Sequence, residues 1–142
     1  MPDLSKEIQP CVGVMIFKEG KILLGKRCGT HAAGEYSFPG GRIDYMESFE
    51  GAIKRETEEE VGIKIKNIKF QCIANIDRYS YRHDITTFFI AEWESGEART
   101  DPEERIGEWE WYSLDNLPSP IFYPTQIGID SFKTGKNFYD KE

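Results

Sequence analysis

Between Gly40 and Ile63 the chain passes from a pair of glycines to a single one across a helix-length segment crowded with carboxylates. Ser48 is a good N-cap, and Glu50 suits the positive first turn that would follow it. Gly62 suits the left-handed position just past a helix C-terminus. These signals predict a helix from about Phe49 to about Val61. At roughly 100° per residue, Phe49, Ala52 and Ile53 share one face, the natural core face. Glu56, Glu59 and Glu60 continue that face one turn later, while Lys54 and Glu58 point away and Glu50 lies on the flank. A solvated acidic face would set its carboxylates opposite the apolar stripe, and only Glu50 and Glu58 fit that description. Three carboxylates on an inward stripe repel one another and lose hydration. A divalent cation among them relieves both problems, and hard cations such as Mg²⁺ take oxygen ligands of this kind. The pattern predicts a metal site.

Gly41, five residues, Glu47, seven residues and then Arg55-Glu56-Thr57-Glu58-Glu59-Glu60-Val61-Gly62-Ile63 resemble the Nudix box. That motif reads Gly, five of any kind, Glu, seven of any kind, then Arg-Glu-U-x-Glu-Glu-x-Gly-U, with U bulky and aliphatic. Each fixed position matches except Thr57, where the family usually has Leu, Val or Ile. Resemblance to MutT-type members extends more weakly over most of the remaining chain. It implies an α/β fold, an α/β/α sandwich with a mixed central sheet. It also implies cleavage of a diphosphate linked to another moiety, usually a nucleoside. By the same resemblance, Glu59 and Glu60 are metal ligands, and Glu56 is a ligand or the general base. The carbonyl of Gly40 is a further ligand, and Arg27 and Arg42 contact substrate phosphates. Arg55 and Glu47 support the catalytic carboxylates, a task that suits the planar, permanently charged guanidinium. Some family members add a glutamate from a later loop; Glu103 and Glu104 occupy the matching loop before Trp109, and Glu104 is the candidate metal ligand. Mg²⁺ is the implied cofactor, with Mn²⁺ as a substitute.

Along the rest of the chain, residues 1–9 are polar and predicted to be loose. Cys11 to Phe17 and Ile22 to Gly25 read as a hairpin around Lys18 to Lys21, followed by a loop from Gly29 to Glu35. Tyr36 to Gly41 resembles the family's short strand leading into the box. Lys64 to Asp77 and Tyr81 to Glu94 read as a second hairpin around Arg78 to Ser80. Ser95 to Gly107 reads as a charged loop, Trp109 to Tyr112 as a strand, and Thr125 to Phe132 as a C-terminal helix. With no internal repeat, the 142 residues suit a single domain over their whole length, and 39% hydrophobic residues suffice for its core.

The formal net charge of −7 argues against general nucleic-acid binding. It also means that an anionic substrate needs bridging cations or a local basic patch. No apolar run is long enough to span a bilayer, and no signal-peptide pattern is present. Cys11, Cys28 and Cys72 are widely separated and have no zinc-site spacing. A reduced cytoplasmic protein, monomer or homodimer, is expected, with a nucleotide as its small-molecule substrate and no membrane partner.

Within the family, a proline about fifteen residues past the box marks ADP-ribose hydrolases, and none occurs between Ile63 and Pro102. The nicotinamide-dinucleotide signature is absent. Tyr79 and Tyr81 fall where dinucleoside-polyphosphate hydrolases often carry a tyrosine. The Arg-Glu-Thr spelling, the Asp84-Ile85-Thr86 strand and the Glu108-Trp109-Glu110-Trp111 strand look most like MutT-type nucleoside triphosphate pyrophosphatases. That comparison places Phe122 and Gly128 near the base; plain core packing is the alternative for Phe122. Three activities remain in view: a triphosphate pyrophosphatase, a hydrolase of dinucleoside polyphosphates, RNA 5′ ends or other diphosphate derivatives, and a nucleotide-sensing module without turnover.

Overall fold

A computed structural model describes residues 6–29, 31–79 and 81–141. The polar stretch expected to be loose is ordered from Ile8, where β1 (Ile8–Lys18) begins; residues 1–5 lie outside the described residues. Glu19 and Gly20, with φ of 51° and 79°, turn the chain into β2 (Lys21–Arg27). Two short strands follow, β3 (Tyr36–Ser37) and β4 (Gly40–Arg42), and then α1 (Phe49–Glu60). Ser48 Oγ accepts the Gly51 N–H at 2.9 Å, and Gly62 takes the left-handed conformation at φ 81°. Beyond α1 come β5 (Lys64–Ile76), β6 (His83–Ser95) and β7 (Ile106–Ser113), then α2 (Tyr123–Thr134) and β8 (Phe138–Tyr139). Ser80, in the predicted turn between β5 and β6, lies outside the described residues. Gly107 belongs to β7 rather than to the preceding loop, and β8 has no counterpart in the sequence reading.

The strands form one mixed sheet in the order β3-β2-β1-β6-β5-β8, with β4 paired to β1 and β7 to β2. Its central pair, β1 with β6, is parallel, and its two long hairpins are antiparallel. Alternation along each strand sends side chains to two separate cores. Val12, Val14 and Ile16 of β1 meet Ala52, Ile53 and Val61 on the α1 side. Met15 of β1 and Phe88 of β6 meet Ile127 and Ile129 of α2 on the other. The layers are therefore helix, mixed sheet, helix. Among the described residues no helix is long and apolar enough to cross a membrane.

Candidate active site

β4 lies close against β1, and α1 is docked over it. A Cβ on Gly40 would sit 2.3 Å from the Val12 carbonyl oxygen, and one on Gly41 would sit 2.7 Å from the Glu56 carboxyl carbon. Gly40 is required by its close approach to the β1 backbone, whereas a side chain at Gly41 would have to displace the Glu56 carboxylate. The Gly40 N–H donates to Glu60 Oε1 at 2.9 Å, and the Trp109 indole N–H donates to the Glu60 carbonyl at 3.2 Å. These bonds fix the C-terminal turn of α1 over β4.

The helix is rotated from the simplest reading of its stripe. Its buried residues are Ala52, Ile53, Thr57 and Glu60. Glu60 is only 5% exposed, Glu56 is partly buried, and the Glu59 side chain is 53% exposed. Phe49, expected in the core, is 50% exposed and leans its ring toward Phe89 at 5.7 Å. The rotation carries Thr57 fully inward, where its hydroxyl has no hydrogen-bond partner among the described residues. Centring the stripe on Ile53 and Glu60 puts Glu59 about one residue-angle outside it.

Arg55 organises the outer side of this cluster. Its Nε and Nη2 donate to Glu47 Oε2 and Oε1 at 2.7 and 2.9 Å, a bidentate pair. Its Nη1 donates to Glu56 Oε1 at 2.8 Å and to Glu59 Oε2 at 3.3 Å, and Nη2 also reaches the Arg42 carbonyl at 3.1 Å. The guanidinium and the Asp44 N–H hold the Glu47 carboxyl down to about 2. Burial pushes the Glu60 carboxyl well above the ordinary range, and the facing Glu56 and Glu104 carboxylates add to the shift. Glu56 and Glu104 are raised as well, by desolvation first and then by neighbouring carboxylates, Glu59 in both cases.

Glu56 and Glu60 open into a cavity of about 380 Å³ that also contains Gly40, Arg27, Arg42, Glu103, Glu104 and Phe122. Glu47, Arg55 and Glu59 stand outside its lining, on the far side of Glu56. Gly128, expected near the base, is not part of the lining either. It lies on α2, where a Cβ would meet Phe38 at 2.6 Å, so its small size serves helix packing. Burial lowers the pKa of the Arg27 guanidinium; its Nε donates to the His31 carbonyl at 3.1 Å, and its plane lies 4.2 Å over the Phe122 ring. Phe122 in turn stacks on Tyr79, and His31 meets Tyr79, Tyr81 and Phe122 edge-on.

The far wall of the cavity was not anticipated from sequence. Asp84 and Thr86 of β6 face it, with Cys11 of β1 opposite Thr86 in the parallel register, and Arg82, Ser37 and Thr125 complete it. Its signal was period-two alternation, in which Asp84, Thr86 and Phe88 point the same way on a strand buried on both faces. Burial pushes the Cys11 thiol up to about 11, which leaves it protonated.

Among the described residues, no three His, Cys, Asp or Glu side chains already stand close enough together to hold a metal ion. Arg55 Nη1 sits between Glu56 and Glu59. The donor set nonetheless fits a hard divalent cation: Glu56, Glu59, Glu60 and Glu104 offer only oxygen, and the buried Glu60 carboxylate has no cationic side chain within ion-pair distance among the described residues.

The fold and the carboxylate helix together define a phosphoanhydride hydrolase scaffold. The family model for the NUDIX domain matches residues 7–129, and the chain belongs to the Nudix hydrolases. It is 36% identical over 112 residues to the NAD-capped RNA hydrolase NudC of Salmonella paratyphi C and to that of Salmonella typhi. The match takes in 79% of this chain but only 42% of each of those proteins. The crystal structure of a MutT Nudix hydrolase from Burkholderia pseudomallei superposes with a TM-score of 0.82 at 33% identity, covering 89% of this chain and 98% of the other. The Nudix domain of Shewanella oneidensis NrtR, solved with ADP ribose, shares the fold at a TM-score of 0.77 and 22% identity, covering 94% and 91%.

Proposed function

We propose that this chain is a Mg²⁺-dependent nucleoside triphosphate pyrophosphatase that releases a nucleoside monophosphate and pyrophosphate. The observation that carries this reading is the mixture of groups in one cavity. Glu56, Glu60 and Glu104 line it together with Arg27 and Arg42, which have no carboxylate within ion-pair distance among the described residues. Apolar rings, hydroxyls and the paired Arg82 and Asp84 line the rest. Such a cavity is sized for a single nucleotide.

Glu56, Glu59, Glu60, the Gly40 carbonyl and Glu104 would hold the cation, Mg²⁺ or in its place Mn²⁺. When bound, the cation neutralises phosphate oxygens and lowers the pKa of a water molecule. Arg27 and Arg42 grip the phosphates by charge-assisted hydrogen bonds. Arg27 is held ready by its stack on Phe122 and its bond to His31. Glu56, which lines the cavity and accepts from Arg55 Nη1, serves either as one of these ligands or as the general base that takes a proton from the attacking water. Arg55 and Glu47 orient Glu56 and Glu59 and touch no substrate.

A second reading, hydrolysis of a dinucleotide or of an RNA 5′ end, is favoured by the 36% identity to NudC. The two separate on a panel of triphosphates, diadenosine polyphosphates, NAD and capped RNA with Mg²⁺, followed by coupled assays with and without inorganic pyrophosphatase. The proposal expects pyrophosphate from at least one triphosphate. Turnover of NAD or a diadenosine polyphosphate with none of any triphosphate moves the assignment to the second reading.

A further inference from the structure

Five of the large apolar side chains that stay exposed belong to one face of the sheet. In β1, Val12, Val14 and Ile16 point toward α1, so Ile8, on the same alternation, points that way too. Phe89 stands opposite Val14 in the register, and Phe70 of β5 stands opposite Phe89. Phe49, at the start of α1, and Phe70 flank the Phe89 ring at 5.7 and 6.1 Å. Ile73 pairs with Thr87, two residues before Phe89, and Phe138 of β8 pairs with Ile73. Alternation therefore brings Ile73 and Phe138 to this face as well. α1 covers the part around Val14 and Ile16 with Ala52, Ile53 and Val61. Beyond it, Ile8, Phe49, Phe70, Ile73 and Phe138 remain 53, 50, 54, 37 and 62% exposed.

A sheet face left to water carries polar side chains at such positions. Here the polar groups are gathered at one corner, where His83 and Asp140 both bond to Asn75, and the middle is apolar. An apolar centre with a polar border is the anatomy of a protein interface. At about 200 Å² for a whole aromatic residue, the five side chains expose roughly 500 Å² per copy, at the upper end of what a monomer leaves open. Two such patches brought together bury on the order of 1,000 Å² from these residues alone, the size at which a stable interface begins.

The occupant follows from charge and shape. The chain carries a net −7, so two copies approach at least cost where each is neutral, and none of the five side chains is ionisable. A strongly basic partner would find nothing here to pair with. A flat sheet face is self-complementary about a two-fold axis and can stack on its own copy as two sheets do in a sandwich. We propose that this chain forms a two-fold dimer through the α1-side face of β1, β6, β5 and β8, centred on Phe70, Ile73 and Phe138. Asp84, Thr86 and Phe88, on the other face of β6, line the cavity, so the second copy leaves each cavity open. The proposal does not depend on which substrate the cavity takes.

Sedimentation velocity of the full chain across micromolar concentrations tests it. The wild type is expected at twice the 16.4 kDa of one chain. Phe138→Asp and Ile8→Asp place a carboxylate at opposite ends of the patch, and each should weaken dimerisation by on the order of 100-fold. Phe138 sits in a two-residue strand at the sheet edge, so its replacement spares both cores; circular dichroism confirms that each variant is folded. Phe132→Asp, on α2 at the opposite side of the sheet, should remain dimeric. A monomeric wild type overturns the proposal without altering the functional reading. A dimer that survives both Phe138→Asp and Ile8→Asp, or that Phe132→Asp dissociates equally, places the contact elsewhere and overturns it too.

Discussion

The two ends of the cavity hold the same kinds of charged group in opposite states. At the α1 end, carboxylates face one another across the opening, and Arg27 and Arg42 stand without acidic partners. Along β1 and β6, Arg82 and Asp84 neutralise each other, and hydroxyls, a protonated thiol and the rings of Phe38 and Phe88 make up the rest of the lining. On the proposed function the first group is completed by a cation and phosphates, while the second is already paired in charge. If chemistry falls to the first and substrate selection to the second, changes in each should have different signatures.

The largest contrast concerns Glu60. Glu60→Gln keeps the acceptor for the Gly40 N–H but removes a ligand and a charge, so turnover should fall by at least about 100-fold. The metal-free protein should melt at the same temperature or slightly higher, because one of several mutually repelling carboxylates is gone. Glu59→Gln should lose activity similarly. Glu58→Gln, on the outer face, should be neutral in both assays, and damage there equal to that in Glu60→Gln would mean that the helix faces are misassigned.

Next in size is Arg55. Arg55→Lys retains one positive charge but cannot bridge Glu47, Glu56 and Glu59 at once. A loss of about 10–100-fold in kcat or in apparent metal affinity is expected, without a change in base preference. A shift in base preference would show that the two ends are not separable.

His31 sits between the ends, against Tyr79, Tyr81 and Phe122, with its Nδ1 at 2.5 Å from Tyr81 Oη. Burial, then the Arg82, Arg27 and Arg105 guanidiniums, against the opposing pull of Asp84, bring its pKa down from 6.5 to about 4. The unfolded chain therefore takes up this proton first. Its contribution to stability is complete above pH 6.5 and is lost as pH falls toward 4. His31→Asn should flatten the wild-type stability profile across that window by about 1–2 kcal/mol, measured by urea unfolding; parallel profiles would contradict it.

The smallest effect is a gain. Thr57→Val replaces a fully buried, unpartnered hydroxyl by a methyl and should stabilise the protein by about 1 kcal/mol with activity unchanged. A loss of stability would mean that the hydroxyl has a partner.

Legibility from sequence follows the same division. The α1 end is nearly contiguous, from Gly40 to Glu60, so spacing along one helix was enough to bring its glycines, Arg55 and glutamates together. Even there, a rotation of less than one residue-angle decided that Glu59 is exposed and Thr57 buried, and no spacing rule resolves that. The opposite wall comes from β1, β3, β6 and α2, joined by a parallel register that sets Cys11 against Thr86. Residues 75 apart by number have no local pattern in common, so only the alternation within β6 was available. Gly128 illustrates the reverse error. A small residue beside a cavity reads equally well as room for ligand or for a neighbouring ring, and Phe38 occupies that room.

The central claim is that the carboxylates of α1 gather a divalent cation. Mn²⁺ titrated into the nucleotide-free protein, with free Mn²⁺ followed by electron paramagnetic resonance, tests it without reference to turnover. Saturable binding in the wild type and in Glu58→Gln, abolished or severely weakened in Glu60→Gln, is the expected result. Mn²⁺ binding of equal strength in the wild type and in Glu60→Gln would contradict the claim.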